Sequence, residues 1–154
     1  MNANAFVMGL GLFFAGIGIC LAADANLGTW KLNEAKSTLP AGVGKNTTVV
    51  YAAVGDQVKV TVDGTDKDGK PAHNEWIGKF DGKPYPVTGD PGADTRTYKK
   101  LNDHSLELLV RKDGNLTSSA SVIVADDGKS RTVTLDGKDS AGKAFRSIAF
   151  YDKQ

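Results

Sequence analysis

The chain has 154 residues, with 19 Lys and Arg against 18 Asp and Glu, a formal net charge of +1 and a single cysteine. That length fits one domain, and charges of both signs are interspersed, so the basic stripe that a nucleic-acid partner requires is missing. The lone Cys20 excludes a disulfide framework or a cysteine metal site within one chain.

Residues 1–23 carry no charged side chain, and every Lys, Arg, Asp and Glu lies at Asp24 or later. Phe6 to Leu21 has the length and apolarity of an h-region, and Ala23-Asp24-Ala25 has the A-x-A form of a cleavage site. Residues 1–25 therefore read as a secretory signal peptide, which implies a secreted or periplasmic location. The first residues, Met1 to Ala5, lack Lys and Arg, and the uncharged run approaches the ~20 residues of a bilayer span. A leader helix left uncleaved as a membrane anchor is the alternative, and in a lipoprotein version Cys20 would take the lipid. Any membrane contact is expected through this leader alone. Residues 26–154 then form a single domain.

Gly28-Thr29-Trp30-Lys31-Leu32-Asn33 opens that domain. Its tryptophan is expected to plug one end of a core, since a large ring buries ~150–250 Å². Pro40, Gly42 and Gly44 rule out a long helix over residues 34–44, so a loop is expected there, with one helical turn before Pro40. From Thr47 the hydrophobic period becomes two. Thr47–Ala53 places Val49 and Tyr51 on one face, and Val58, Val60 and Val62 alternate with polar residues. Ala72–Phe80 puts Trp76 and Phe80 on one face and His73, Glu75 and Lys79 on the other. Pro84 and Pro86 reduce Tyr85–Val87 to an edge or irregular strand. Thr95–Leu101, Ser105–Arg111 and Leu116–Ala125 follow, the last two aiming Leu106, Leu108 and Val110, then Ala120, Val122 and Val124, inward. Arg131, Val133 and Leu135 share a face of the next strand. Ala144–Tyr151 is apolar on both faces, with Ile148 and Phe150 opposed to Phe145, Ala149 and Tyr151. Asp113-Gly114 is a strong two-residue hairpin signal. Residues 60–70 and 133–143 echo one another at Val-Thr, Asp-Gly, Asp and Gly-Lys, which indicates two equivalent β-turn-β units.

The pattern predicts an all-β fold, an antiparallel meander β-barrel of about eight to ten strands, with a β-sandwich as fallback. Its interior candidates are Trp76, Phe80, Tyr98, Leu108, Val122, Val133, Ile148 and Phe150. A barrel of this size either packs solid or holds one small ligand.

Gly28-Thr29-Trp30 resembles the G-x-W opening of lipocalins and of fatty-acid-binding proteins, which often begin G-T-W-K-L. The resemblance implies a barrel closed at Trp30, with an arginine of the last strand packed across the ring. Arg146 is the matching position and Arg131 the poorer one. The chain departs from fatty-acid-binding proteins in two places. Residues 34–45 are too short for their helical pair, and Arg146-Ser147-Ile148 does not match their carboxylate-holding Arg-x-Tyr. The opening is similar to small secreted bacterial proteins of unknown function that start G-T-W-K-L-N with a Lys-Ser soon after, here Lys36-Ser37. That resemblance implies location and fold, not activity.

Chemistry finds little footing. Asp66-x-Asp68-Gly69 with Glu75 has part of a Ca²⁺-loop spacing, but turn chemistry accounts for Asp-Gly equally, and the echo carries Ala141 in place of Asp68. His73 and His104 would need a common carboxylate to act as acid, base or Zn²⁺ ligand. No nucleophile motif and no cofactor motif is present. The expectation is no enzyme and no cofactor: a barrel that binds a small hydrophobic or amphipathic molecule, or a packed barrel that meets partners through an outer face or the loop Thr88–Asp94.

Overall fold

The computed structural model describes residues 24–139 and 141–154; the predicted leader lies outside them. Ten strands form one closed antiparallel barrel. They are β1 (Gly28–Leu32), β2 (Lys45–Val54), β3 (Gln57–Thr65), β4 (Pro71–Gly78), β5 (Asp81–Thr88), β6 (Thr95–Asn102), β7 (Ser105–Lys112), β8 (Asn115–Val124), β9 (Ser130–Lys138) and β10 (Ala144–Lys153). Each pairs with its neighbours in sequence, and β1 closes the ring by pairing with β10 as well as β2. The all-β meander read from the period-two pattern is the fold found, and closure leaves no edge strand to template aggregation among the described residues.

The turns follow local chemistry. Asp113 and Gly114 both have positive φ, 50° and 77°, as the mirror-image hairpin turn requires. The two echoed segments form matching turns. In each, the first Asp accepts through Oδ1 from the backbone N–H two and four residues on (Asp66 from Asp68 and Lys70; Asp139 from Ala141 and Lys143), all at 2.9 Å. These carboxylates are turn builders. Among the described residues no three of His, Cys, Asp or Glu gather as metal ligands.

The segment around Pro84 and Pro86 is the irregular strand of the two alternatives and not an edge: β5 lies between β4 and β6, and its register with β6 shifts between Asp81 and Pro84. Its prolines, which have no N–H to donate, leave their mark on the seam instead: β5 meets β4 only at Glu75↔Thr88 and Trp76↔Val87. Ile148 and Phe150 do not face the interior. In β10 the inward row is Phe145, Ser147, Ala149 and Tyr151, paired with Gly137, Leu135, Val133 and Arg131 of β9. Residues 33–38 cover the outer side of β10. A 3-10 turn at Glu34–Lys36 is capped by Asn33, Thr38 bridges Ile148, Ser37 Oγ accepts from the Phe150 N–H, and Lys36 Nζ sits 4.7 Å from the Phe150 ring centroid. On that outer face Phe150 is half-buried beneath this cover, whereas Ile148 stays exposed.

Candidate functional site

One end of the barrel is sealed. Trp30 is fully buried, and its indole Nε1 donates to the Asn26 carbonyl at 2.8 Å. The segment Asp24–Leu27 folds beneath it, tied by Asp24 to Lys100 at 3.0 Å and by Lys153 Nζ to the Ala25 carbonyl at 3.3 Å. Burial alone would raise the Asp24 pKa, but hydrogen bonds from Asn26 and Lys100 outweigh it and hold the carboxyl below its usual 3.8. Lys153 Nζ also lies 5.0 Å from the Trp30 ring centroid.

The arginine over Trp30 is Arg131, not Arg146. Its guanidinium carbon stands 4.7 Å from the ring centroids of Trp30 and of Tyr51, and 5.0 Å from that of Tyr151. Arg146 points outward and makes a two-pronged pair with Asp136, at 2.7 and 3.0 Å, because even-numbered residues of β10 face solvent. Arg131 shares the inward face of β9 with Val133 and Leu135, whereas the family resemblance points to an arginine of the last strand.

Above this floor the barrel is hollow. A cavity of about 470 Å³ runs from Arg131, Tyr51, Tyr98 and Tyr151 to a mouth formed by Leu39, Gly42–Lys45, the Thr65–Lys67 turn, Gly89–Gly92 and Lys138–Asp139. That volume falls within the ~300–1,000 Å³ of small-molecule sites. Leu39 and Gly42–Lys45, in the connection after Asn33, thus lie at the open end. Of the predicted interior residues, Tyr98, Leu108, Val122 and Val133 line the cavity. Trp76 and Phe80 instead join Tyr98 in an aromatic wall, with Trp76–Tyr98 and Phe80–Tyr98 centroids 4.6 and 5.6 Å apart. The Trp76 indole donates to the Arg96 carbonyl at 3.1 Å.

The polar lining was the part missed. Arg96 and Asn74 face inward in phase with Tyr98 and Trp76, a signal available from the alternation. Arg96 is buried and paired through Nη2 with Asp90 at 2.7 Å. Asn74 leaves its Oδ1 buried without a hydrogen bond. Burial pushes the Tyr151 phenol up to about 12 although Arg131 opposes the rise, and burial pushes Tyr98 well above its usual 10.0.

The histidines are not brought together. His73, on the outer face of β4, holds Asp63 at 2.6 Å, while His104 lies in the β6–β7 turn at the sealed end. No family model matches the chain, and no curated protein matches it. The geometry itself defines a closed antiparallel barrel with a plugged floor and an internal cavity open at the other end.

Proposed function

We propose that this is a secreted or periplasmic, lipocalin-like carrier that holds one small apolar or amphipathic molecule inside its barrel. The observation behind the reading is the cavity itself: about 470 Å³ walled mainly by Val49, Val62, Leu108, Val122, Val133 and Ala149, with a few inward polar groups. Such a combination marks a ligand site, since apolar walls supply affinity and sparse polar groups fix orientation. The buried Trp30 at the sealed end and the ten-strand closure are compatible with a calycin-like barrel. The uncharged residues 1–23 support export.

Native mass spectrometry of the protein purified from its own host tests this reading. A stoichiometric adduct that is lost on denaturation is expected, together with fluorescence enhancement of the neutral dye N-phenylnaphthylamine. Ala149→Phe, which places a ring in the cavity, should weaken dye binding at least about tenfold, or 1.4 kcal/mol. A protein that carries no adduct and leaves the dye dark sinks the carrier reading.

A further inference from the structure

Residues 24 and 25 are built into the barrel floor. Asp24 Oδ1 accepts at 2.9 Å from both the backbone N–H and the side-chain Nδ2 of Asn26, and the Leu27 N–H donates to the Asp24 carbonyl at 2.9 Å. Asp24 Oδ2 pairs with Lys100 of β6 at 3.0 Å, and the Ala25 carbonyl accepts from Lys153 of β10 at 3.3 Å. Ala25 and Leu27 pack against the core. These ties hold Asn26, 0% exposed, beneath the Trp30 indole, whose Nε1 donates to the Asn26 carbonyl.

The A-x-A form of Ala23-Asp24-Ala25 places a processing cut after Ala25. That cut is at odds with the floor. It would remove Asp24 and Ala25 and turn the buried Asn26 nitrogen into a chain terminus. An α-amine is mostly protonated at neutral pH, so a positive charge would stand on a residue with no exposed surface. The carboxylate that now answers this nitrogen would leave in the same cut. Asn26 Nδ2 would lose its acceptor as well, and Asn26 Oδ1 is already enclosed without a hydrogen bond. Buried charges and buried polar groups need partners. A cut before Asp24 has none of these consequences. Asp24 is only half-buried, and its ties and those of Ala25 survive.

We propose that the peptidase that removes the leader cuts on the N-terminal side of Asp24, at Ala22–Ala23 or Ala23–Asp24, and that Asp24 and Ala25 stay on the mature chain as the latch of the barrel floor. The step is a hydrolysis: water adds across one peptide bond, leaving a carboxylate on the leader and an α-amine on the barrel. Both bonds follow an alanine, the small residue such a cut requires, and Cys20-Leu21-Ala22 has small residues at both ends of the triplet before the first. The assignment rests on the reading of residues 1–23 as an export leader.

The test reads the N-terminus of the protein recovered from its own host, by intact mass and N-terminal sequencing. A chain that begins at Ala23 or Asp24 is expected, and any other N-terminus overturns the assignment. An exported chain that begins at Asn26 does so while leaving the carrier reading untouched. An uncut chain held in the cytoplasm removes the export part of that reading as well. Asp24→Leu tests the latch separately, with the N-terminus of the variant read in the same way. It should lower the urea midpoint, because the Asn26 donors and Lys100 lose their acceptor. A wild-type midpoint for this variant means that residues 24 and 25 hold nothing, and overturns the latch. The wild-type N-terminus decides the position of the cut even where Asp24→Leu does not fold.

Discussion

Trp30 and Arg131 are each other's environment. The indole is fully buried between the Asn26 carbonyl and the guanidinium, so truncating it empties the sealed end rather than trimming a surface. Trp30→Ala should cost about 3–5 kcal/mol in urea unfolding, as for other large-to-small changes in cores. Arg146→Ala, by contrast, should leave the urea midpoint at the wild-type value, because its pair with Asp136 is solvent-exposed on both sides and such pairs contribute little. A large fall in midpoint for Arg146→Ala would mean that the arginine holding the floor has been misidentified. At this scale the sequence was half legible. An indole just after an uncharged stretch of sequence announces itself, whereas which of two arginines reaches it depends on which face of its strand each occupies.

That question belongs to the element, and one strand explains three errors. Arg146, Ile148 and Phe150 share the even-numbered face of β10, and a slip of one residue sends a whole face to the wrong side. On the outer face of β10, Phe150 packs beneath residues 33–38, a contact invisible to periodicity, while Ile148 stays exposed. The strands with one polar face, β3, β7 and β8, were read correctly for the complementary reason. The β4–β5 seam is the weakest pairing, at two residue pairs. Amide exchange there should run faster than at the β2–β3 and β9–β10 seams, and uniform protection around the ring would count against that view. On the outer face of β3 and β4, the Asp63 hydrogen bond raises the His73 pKa above 6.5, with nearby Glu75 adding to the rise. The folded value being the higher one, the pair favours the folded state below pH 6.5 and loses that contribution as pH rises through the folded pKa. NMR titration should place the imidazole above 6.5, and Asp63→Asn should bring it down.

For the molecule as a whole, closure was legible and the hollow was not. Alternation and tight turns specify a meander, but whether ten strands leave room inside depends on side-chain volume against barrel radius, and here the small Ser147 and Ala149 on the inward row of β10 leave part of that room. The same floor sets the alkaline limit of the fold. Burial pushes the Tyr151 phenol up to about 12 in the folded barrel against 10.0 for a free phenol, because a phenolate there would be dehydrated, and burial also raises Tyr98 well above 10.0. Both folded values exceed the unfolded ones, so stability is intact below pH 10 and is lost as pH rises through the folded values, when the unfolded chain can release protons that the barrel retains. The rise of Tyr151 from 10.0 to about 12 amounts to on the order of 3 kcal/mol. Tyr151→Phe removes that liability, though it also frees the Asn46 carbonyl from its donor. It should lower stability at neutral pH by about 1 kcal/mol, yet shift the midpoint of alkaline unfolding upward. Phenolate absorbance and far-UV circular dichroism followed together from pH 8 to 13 give both quantities: the last phenols should ionise in the same step in which the barrel opens. A Tyr151 that titrates near pH 10 with the fold intact would mean that water reaches the floor beside Arg131 and Trp30.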